Sequence, residues 1–229
     1  MSMQKKLRAR GLVMLVAFFG LLIVIFSPVF PGKMNGLDFM DNLFNTISKG
    51  SSYFIPDSIR ASEQFAGKVI DVKFALADEK QAVATARLFQ ANGAEVSVSG
   101  KELGVKGDMA GIMKGSLADA DQMYHNNGAA VADKYGYNEK EVLFNWWTAF
   151  KSMGKDLTAQ KSFKQAKAIA AIQAKALEPA YNYYGVDAGN YKDSLLLIVT
   201  ALLFYVCYTL WYGFGIMYLF EGLGLKIGH

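Results

Sequence analysis

The chain is poor in the residues that bind metals and build redox centres. Its 229 residues include one cysteine, Cys207, and two histidines. A single cysteine cannot form a disulfide within the chain, and no cysteine and histidine cluster of the kind that holds zinc, haem or an iron–sulfur cluster is present. We therefore expect no cofactor, and we expect the folded part to be stabilised by packing or by partners.

Charge is absent from two long stretches. Residues 11–30 and 195–220 contain no Asp, Glu, Lys or Arg. An α-helix rises about 1.5 Å per residue, so about 20 apolar residues cover a hydrocarbon core of about 30 Å. The sequence predicts two transmembrane helices, at 11–30 and 193–220, because a chain this small could not bury both stretches in a core of its own.

The residues around the first stretch indicate whether it is retained and how it is oriented. Pro28 and Pro31 follow it without a small-x-small cleavage pattern, which favours an uncleaved signal anchor over a cleaved signal peptide. Positive charge before a first span keeps the N-terminus in the cytoplasm, and a second span returns the C-terminus to that side. We expect a bacterial-type inner (cytoplasmic) membrane, both termini cytoplasmic, and a central domain that is periplasmic or extracellular. The basic residues are Lys5, Lys6, Arg8 and Arg10.

The net charge argues against nucleic acid as a partner. The formal charge of +4 equals the four basic residues before the first stretch, so the rest of the chain is neutral on balance. Nucleic-acid binding needs a basic domain in the cytoplasm. The predicted tails, 1–10 and 221–229, are too short for a cytoplasmic signalling domain, and the second carries only Lys226 as a basic side chain.

Between the two stretches the pattern predicts an α+β domain. Residues 31–67 are typical of an amphipathic helix over Leu37–Ile47 and a loop over Lys49–Ser58. Residues 68–107 form a predicted strand-helix-strand-strand unit, in which Asp78 can cap the helix together with Gln81. Such a unit is a small sheet with a helix on one face, and we expect a partner surface on the other face. The three predicted strands are 69–76, 95–99 and 102–106.

Residues 108–192 are predicted to be helical because their apolar side chains recur every three or four positions. Asp108 and Asn138 can cap two helices, of which the second ends before Gly154. A third helix is expected over Leu157–Leu177. The predicted fold class is thus a membrane protein of the α+β class, with two transmembrane helices flanking the exported domain.

One pair of side chains has the spacing of metal ligands or of a proton-sharing pair. Asp121 and His125 stand four residues apart on one predicted helix, so they lie on the same face. Two ligands are fewer than a metal site needs, and Asp119 falls on a different face. The alternative is a surface pair near the end of a helix.

The aromatic and basic residues of the helical part offer two further candidate surfaces. Trp146 lies on an apolar stripe and is expected in the core, whereas Trp147, Tyr135 and Tyr137 could line a ligand-binding groove. A run of lysines could face anionic lipid headgroups or an acidic partner such as a soluble electron carrier; a solvated helix face is the alternative. These are Lys151, Lys155, Lys161, Lys164, Lys167 and Lys175.

The second apolar stretch carries more aromatic side chains than an interfacial belt explains. A tyrosine hydroxyl in lipid needs a hydrogen-bond partner, and glycines permit close helix approach, so we expect this helix to pack on other transmembrane helices, some of them from other subunits. The alternative is that the tyrosines reach the headgroups. The interaction residues are Tyr205, Tyr208, Trp211, Tyr212, Gly213 and Gly215.

These features predict a non-catalytic structural or accessory subunit of a larger membrane assembly. Its exported domain would pack on partner subunits or on copies of itself, and its helices would contact membrane lipid. A membrane-anchored binding module for a small ligand or a redox partner is the alternative, and a metal-dependent enzyme using Asp121 and His125 is the third hypothesis. No charge lies within either apolar stretch, which disfavours an ion pump built from this chain alone.

Overall fold

The computed structural model describes residues 3–225, so Lys226 lies outside the described residues. The protein is mostly helical, with one three-stranded sheet. In chain order its elements are α1 (Met3–Ile25), α2 (Gly36–Ser51), α3 (Ile55–Ser62), β1 (Val69–Ala75), α4 (Glu79–Ala91), β2 (Glu95–Ser99), β3 (Glu102–Asp108), α5 (Met109–Tyr124), α6 (Gly128–Tyr135), α7 (Glu139–Ala159), α8 (Phe163–Ile172), α9 (Glu178–Asn182) and α10 (Tyr191–Gly222).

The chain divides into two compact units. We call Met1–Ile47 with Ala188–His229 the terminal unit and Ser48–Asp187 the central unit. The terminal unit contains α1 and α10, and the central unit contains the sheet and the helices from α3 to α9.

In the terminal unit, α1 and α10 are long and apolar enough to cross a membrane, by length and composition. Their apolar side chains face outward: Val13 is 67% exposed and Leu196 is 81% exposed. A core helix of a water-soluble domain would bury such side chains. Exposure along both helices therefore distinguishes them from core helices.

The two long helices pack against each other in antiparallel directions. Near the start of α1, Arg8 donates a hydrogen bond to the carbonyl of Gly222 at 3.1 Å. Further along, Tyr208 donates to the carbonyl of Phe18 at 3.0 Å. A Cβ atom on Gly11 would lie 2.5 Å from the backbone nitrogen of Leu219, so only glycine permits this approach.

The predicted loop over 49–58 is wrong in extent. Helix α2 continues to Ser51, and α3 begins at Ile55, so three residues separate the two helices. Pro56 lies in the first turn of α3, where a missing backbone N–H leaves no hydrogen bond unmade. The proline that suggested a break therefore begins a helix.

The predicted strand-helix-strand-strand unit is confirmed. The strand order is β1-β3-β2, and both outer strands run antiparallel to β3. Because β1 and β2 are parallel to each other with β3 between them, α4 crosses over one face of the sheet. Asp78 caps α4 by accepting a hydrogen bond from the Gln81 backbone nitrogen at 2.8 Å.

The sheet buries one face and exposes the other. Ile70, Val72 and Phe74 alternate with exposed residues along β1. Both α4 and α7 cover the buried face, while Asp71 and Lys73 lie on the exposed one. The expected partner surface on this second face stays a prediction; the face also carries Val69, which is 64% exposed.

The helical part differs from the expectation in three places. The structure adds α6 and continues α7 past Gly154. It also divides the predicted 157–177 helix, because α7 ends at Ala159 and α8 begins at Phe163. Lys161 has a positive φ of 62° in the turn that separates α7 from α8. A π-helical turn over Gln173–Leu177 then joins α8 to α9. Trp146 is fully buried, as predicted.

Candidate functional site

Asp121 and His125 lie at the C-terminal end of α5, with a tyrosine beside them. Asp121 accepts a hydrogen bond from the Tyr53 hydroxyl at 2.7 Å, and His125 Nδ1 lies 3.4 Å from the Asp121 carboxylate. The Tyr53 ring stands edge-on to the imidazole, with centroids 5.3 Å apart. Burial, together with the hydrogen bond to Asp121, raises the pKa of Tyr53 to about 12. The Asp121 carboxylate thus already accepts a hydrogen bond from within the chain.

A metal site needs more ligands than this pair supplies. Within residues 3–225, no group of three or more His, Cys, Asp and Glu side chains gathers around a point that could hold an ion. The structure brings Asp121 and His125 together as the spacing predicted, and it supplies Tyr53 as their neighbour.

A buried lysine joins the first and last segments of the central unit. The Lys49 ammonium donates to the carbonyl of Val186 at 2.6 Å and to Asn126 Oδ1 at 3.0 Å. Asn126 also accepts from the Gly185 backbone nitrogen at 2.8 Å. Burial lowers the pKa of Lys49, and Asp187 opposes that shift. These hydrogen bonds hold residues 185 and 186 against the start of the central unit.

The Asp119 carboxylate is a buried acidic group, 2% exposed. It accepts hydrogen bonds from the Tyr135 hydroxyl at 2.6 Å, from Trp146 Nε1 at 2.8 Å and from Lys134 Nζ at 2.8 Å. Three donors satisfy a buried charge that would otherwise be very unfavourable. Burial, and next the charge of Asp119, raises the pKa of Tyr135. We call Asp119 and its three donors the Asp119 centre; its hydrogen bonds connect α5, α6 and α7.

The predicted groove of Trp147, Tyr135 and Tyr137 does not form as one surface. Tyr135 is buried against Asp119, and its ring centroid lies 6.4 Å from that of Tyr137. Burial raises the pKa of Tyr137 to about 12, although a hydrogen bond from Asn145 opposes the shift. Trp147 instead lines a separate hollow of about 280 Å³ and donates from Nε1 to Glu178 at 2.8 Å.

Five of the six lysines singled out in the sequence border two grooves on either side of α8. Lys164, Lys167 and Lys175 line a groove of about 490 Å³ between α3 and α8. Lys151, Lys155 and Lys167 line a second groove, between α7 and α8. Lys161 lies in the turn before α8 and lines neither groove.

Of the six interaction residues expected in α10, two face α1, two face away from it and two lie between these positions. Tyr208 and Gly215 face α1: the Tyr208 ring stacks on Phe18 at 4.1 Å, and Gly215 contacts Leu15. Tyr205 is 67% exposed, and a Cβ on Gly213 would meet nothing within 4 Å. Tyr212 is 40% exposed, and its centroid lies 4.9 Å from that of Phe18, while Trp211 is half-buried.

Sequence reasoning missed Lys49, Asn126 and the role of Asp119. One signal pointed to the Asp119 centre: Trp146 was expected in the core, and a buried indole N–H needs an acceptor. Nothing in the local pattern pointed to Lys49, because its partners are 77 and 137 residues away.

Comparison of the chain with protein-family models, with curated proteins and with solved structures found no match.

Proposed function

We propose that the chain is a non-catalytic accessory subunit of a membrane assembly, which anchors an exported domain and docks it on partner proteins. One observation carries the proposal. In the described part of the central unit, Asp119, Lys49 and Asp121 are held in internal hydrogen bonds that shape the fold. The exposed features are lysine-rich and apolar surfaces, which suit recognition rather than chemistry.

The packing of α1 on α10 supports a two-span topology. Because the helices are antiparallel, the start of α1 lies beside the end of α10, as in the contact of Arg8 with Gly222. Arg10 lies over the Tyr218 ring, 4.7 Å from its centroid. With basic residues at this end, we assign both termini to the cytoplasm and the central unit to the exported side.

The outward face of α10 supports contact with partner helices in the membrane. Tyr205 carries a hydroxyl on a face that lacks partners among residues 3–225, and lipid tails offer it none. Gly213 lies in open space, so another helix could approach there. Tyr208 and Gly215 are used within the chain and do not support this argument.

Purification from native membranes in a mild detergent, followed by native mass spectrometry, tests the proposal. We expect complexes that contain at least one other protein. A matched pair of variants sharpens the test: Gly213→Ile changes the outward face of α10, and Gly20→Ile changes an equally open position on α1. Loss of the partner only in Gly213→Ile supports the α10 contact, and a lone monomer in the wild type contradicts the proposal.

A second candidate function is a binding module for a small ligand. The hollow beside Trp147 is bordered by Phe144 and Tyr181, and Phe144 is 48% exposed although aromatic. Aromatic walls with one carboxylate, Glu178, suit a small cationic or aromatic molecule. A thermal-shift screen of the whole protein tests it: a ligand that raises the melting temperature of the wild type but not of Trp147→Leu supports it.

A further inference from the structure

We propose that the groove between α3 and α8 binds an acidic amphipathic helix of a partner protein. The proposal rests on the proposed function and deepens it, because it names the docking surface of the exported domain and the chemistry of its occupant. We call this surface the α3–α8 groove; the residues that line it come from α3, from α5, from the residues flanking α3 and from the α8 segment up to Lys175.

The walls of the α3–α8 groove have small side chains. Ser58 and Ala61 line it from α3, and Ala168 and Ala171 line it from α8. Each pair is spaced three residues apart, so each pair presents one face of its helix to the groove. Small residues on facing helices allow a third helix to approach at the 8–10 Å axial separation typical of packed helices.

The floor of the α3–α8 groove is apolar. Phe65, Met113 and Ile172 form it, and each is at most 2% exposed. Phe54 stands at the rim and is 44% exposed. The floor residues close the bottom of the groove, and Phe54 together with the alanines of the walls offers the exposed apolar surface that an amphipathic helix would cover.

The rim of the α3–α8 groove is basic. Lys164, Lys167 and Lys175 line it, and its single carboxylate, Asp57, is paired with Arg60. Lys164 and Lys175 are eleven positions apart, about 16 Å along a helix, or three turns. A partner helix with acidic residues every three or four positions could face all three lysines at once.

The charge continues beyond this groove. Residues 142–177 contain six lysines and one acidic residue, Asp156. Asp156 is engaged elsewhere: its carboxylate accepts from the Lys73 backbone nitrogen at 3.2 Å and from Gln160 at 2.7 Å. Within residues 3–225, none of the six lysines forms an ion pair. The surface thus lacks counter-charges of its own.

The shape favours a protein helix over a small ligand or a lipid. Sites for small molecules bury most of the ligand, whereas this is an open groove with a second groove beside it on α8. One lipid headgroup would engage one or two lysines and leave the others unpaired. An acidic helix supplies several carboxylates and an apolar stripe together.

Site-specific photo-crosslinking in the native host tests the proposal. A photoreactive p-benzoylphenylalanine replaces Ala171, which is exposed on the groove wall. After irradiation of intact cells, the full chain is purified and the adduct is identified by mass spectrometry. We expect a peptide from another protein with apolar residues at helical spacing and at least three acidic residues.

Charge variants supply the control. Lys164→Glu, Lys167→Glu and Lys175→Glu together should reduce the adduct at least about tenfold, since three exposed ion pairs are removed. Lys80→Glu, Lys101→Glu and Lys106→Glu make the same change in charge at exposed positions elsewhere and should leave the adduct unchanged. In the chain that carries the crosslinker at position 171 and all of its native lysines, 0.5 M KCl should weaken crosslinking, because salt screens ion pairs.

The outcomes separate this inference from the proposed function. A lipid adduct, a peptide without acidic residues, a peptide of this same chain, no adduct, or an adduct that survives the triple change at the groove overturns the inference. If partners co-purify in any of those cases, the proposed function stands without it. If no partner co-purifies, both fail.

Discussion

Replacing Asp119 with alanine should destabilise the central unit by about 3–5 kcal/mol. The carboxylate is 2% exposed and accepts hydrogen bonds from Tyr135, Trp146 and Lys134. The change leaves two buried donors, the Tyr135 hydroxyl and the Trp146 N–H, without an acceptor. Each unsatisfied buried donor costs about 1–3 kcal/mol, so the two donors account for a loss of this size, while the Lys134 ammonium is partly exposed and can be hydrated.

The assay is thermal unfolding of the whole protein in lipid nanodiscs, monitored by near-ultraviolet circular dichroism. For a unit of this size, 1 kcal/mol corresponds to roughly 3 °C, so Asp119→Ala should lower the melting temperature by about 10 °C or more. Asp133→Ala is the matched control, because Asp133 is exposed on α6 and should change stability by less than about 0.5 kcal/mol. Equal shifts in the two variants would refute the reasoning.

Three further predictions concern other contacts. Gly11→Ile should separate α1 from α10, because a Cβ at Gly11 meets the Leu219 backbone, whereas Gly20→Ile should not, because a Cβ at Gly20 meets nothing within 4 Å. Electron paramagnetic resonance measures the distance between spin labels at Gln4 and Leu223. Equal distances in the two variants would contradict the prediction. The free energy of unfolding should fall as pH rises from about 10 to 12, because the pKa of Tyr137 is about 12 in the folded protein and about 10 in the unfolded chain. Tyr137→Phe should make this fall shallower. An unchanged pH profile in that variant would count against the prediction. Zn²⁺ should not raise the melting temperature, because Asp121 and His125 have no third ligand within residues 3–225; a saturable rise that His125→Ala abolishes would overturn this prediction.

The sheet was predictable from the sequence because its signals are local. The alternation of Ile70, Val72 and Phe74 marks β1, and Asp78 three residues before Gln81 marks the start of α4. Both long apolar helices were predictable for the same reason, since composition alone identifies them.

Several features depended on contacts that no local pattern records. In α4, Ala82 and Thr85 are buried while Val83 is 43% exposed, because the position of the sheet and not hydrophobicity decides which face is inward. Gly154 was expected to end α7, but a surface glycine within a packed helix is tolerated at about 1 kcal/mol. The Asp119 centre spans three helices, so its donors could not be paired from spacing alone.

We propose that α1 and α10 cross the membrane and that the central unit lies on the exported side. Cysteine labelling of intact cells with a membrane-impermeant maleimide, in a Cys207→Ser background, tests this topology. We expect Ser99→Cys, exposed at the end of β2, to be labelled in intact cells, and Gln4→Cys, exposed at the start of α1, to be labelled only after lysis. Labelling of Gln4→Cys in intact cells, or protection of Ser99→Cys until lysis, would contradict it.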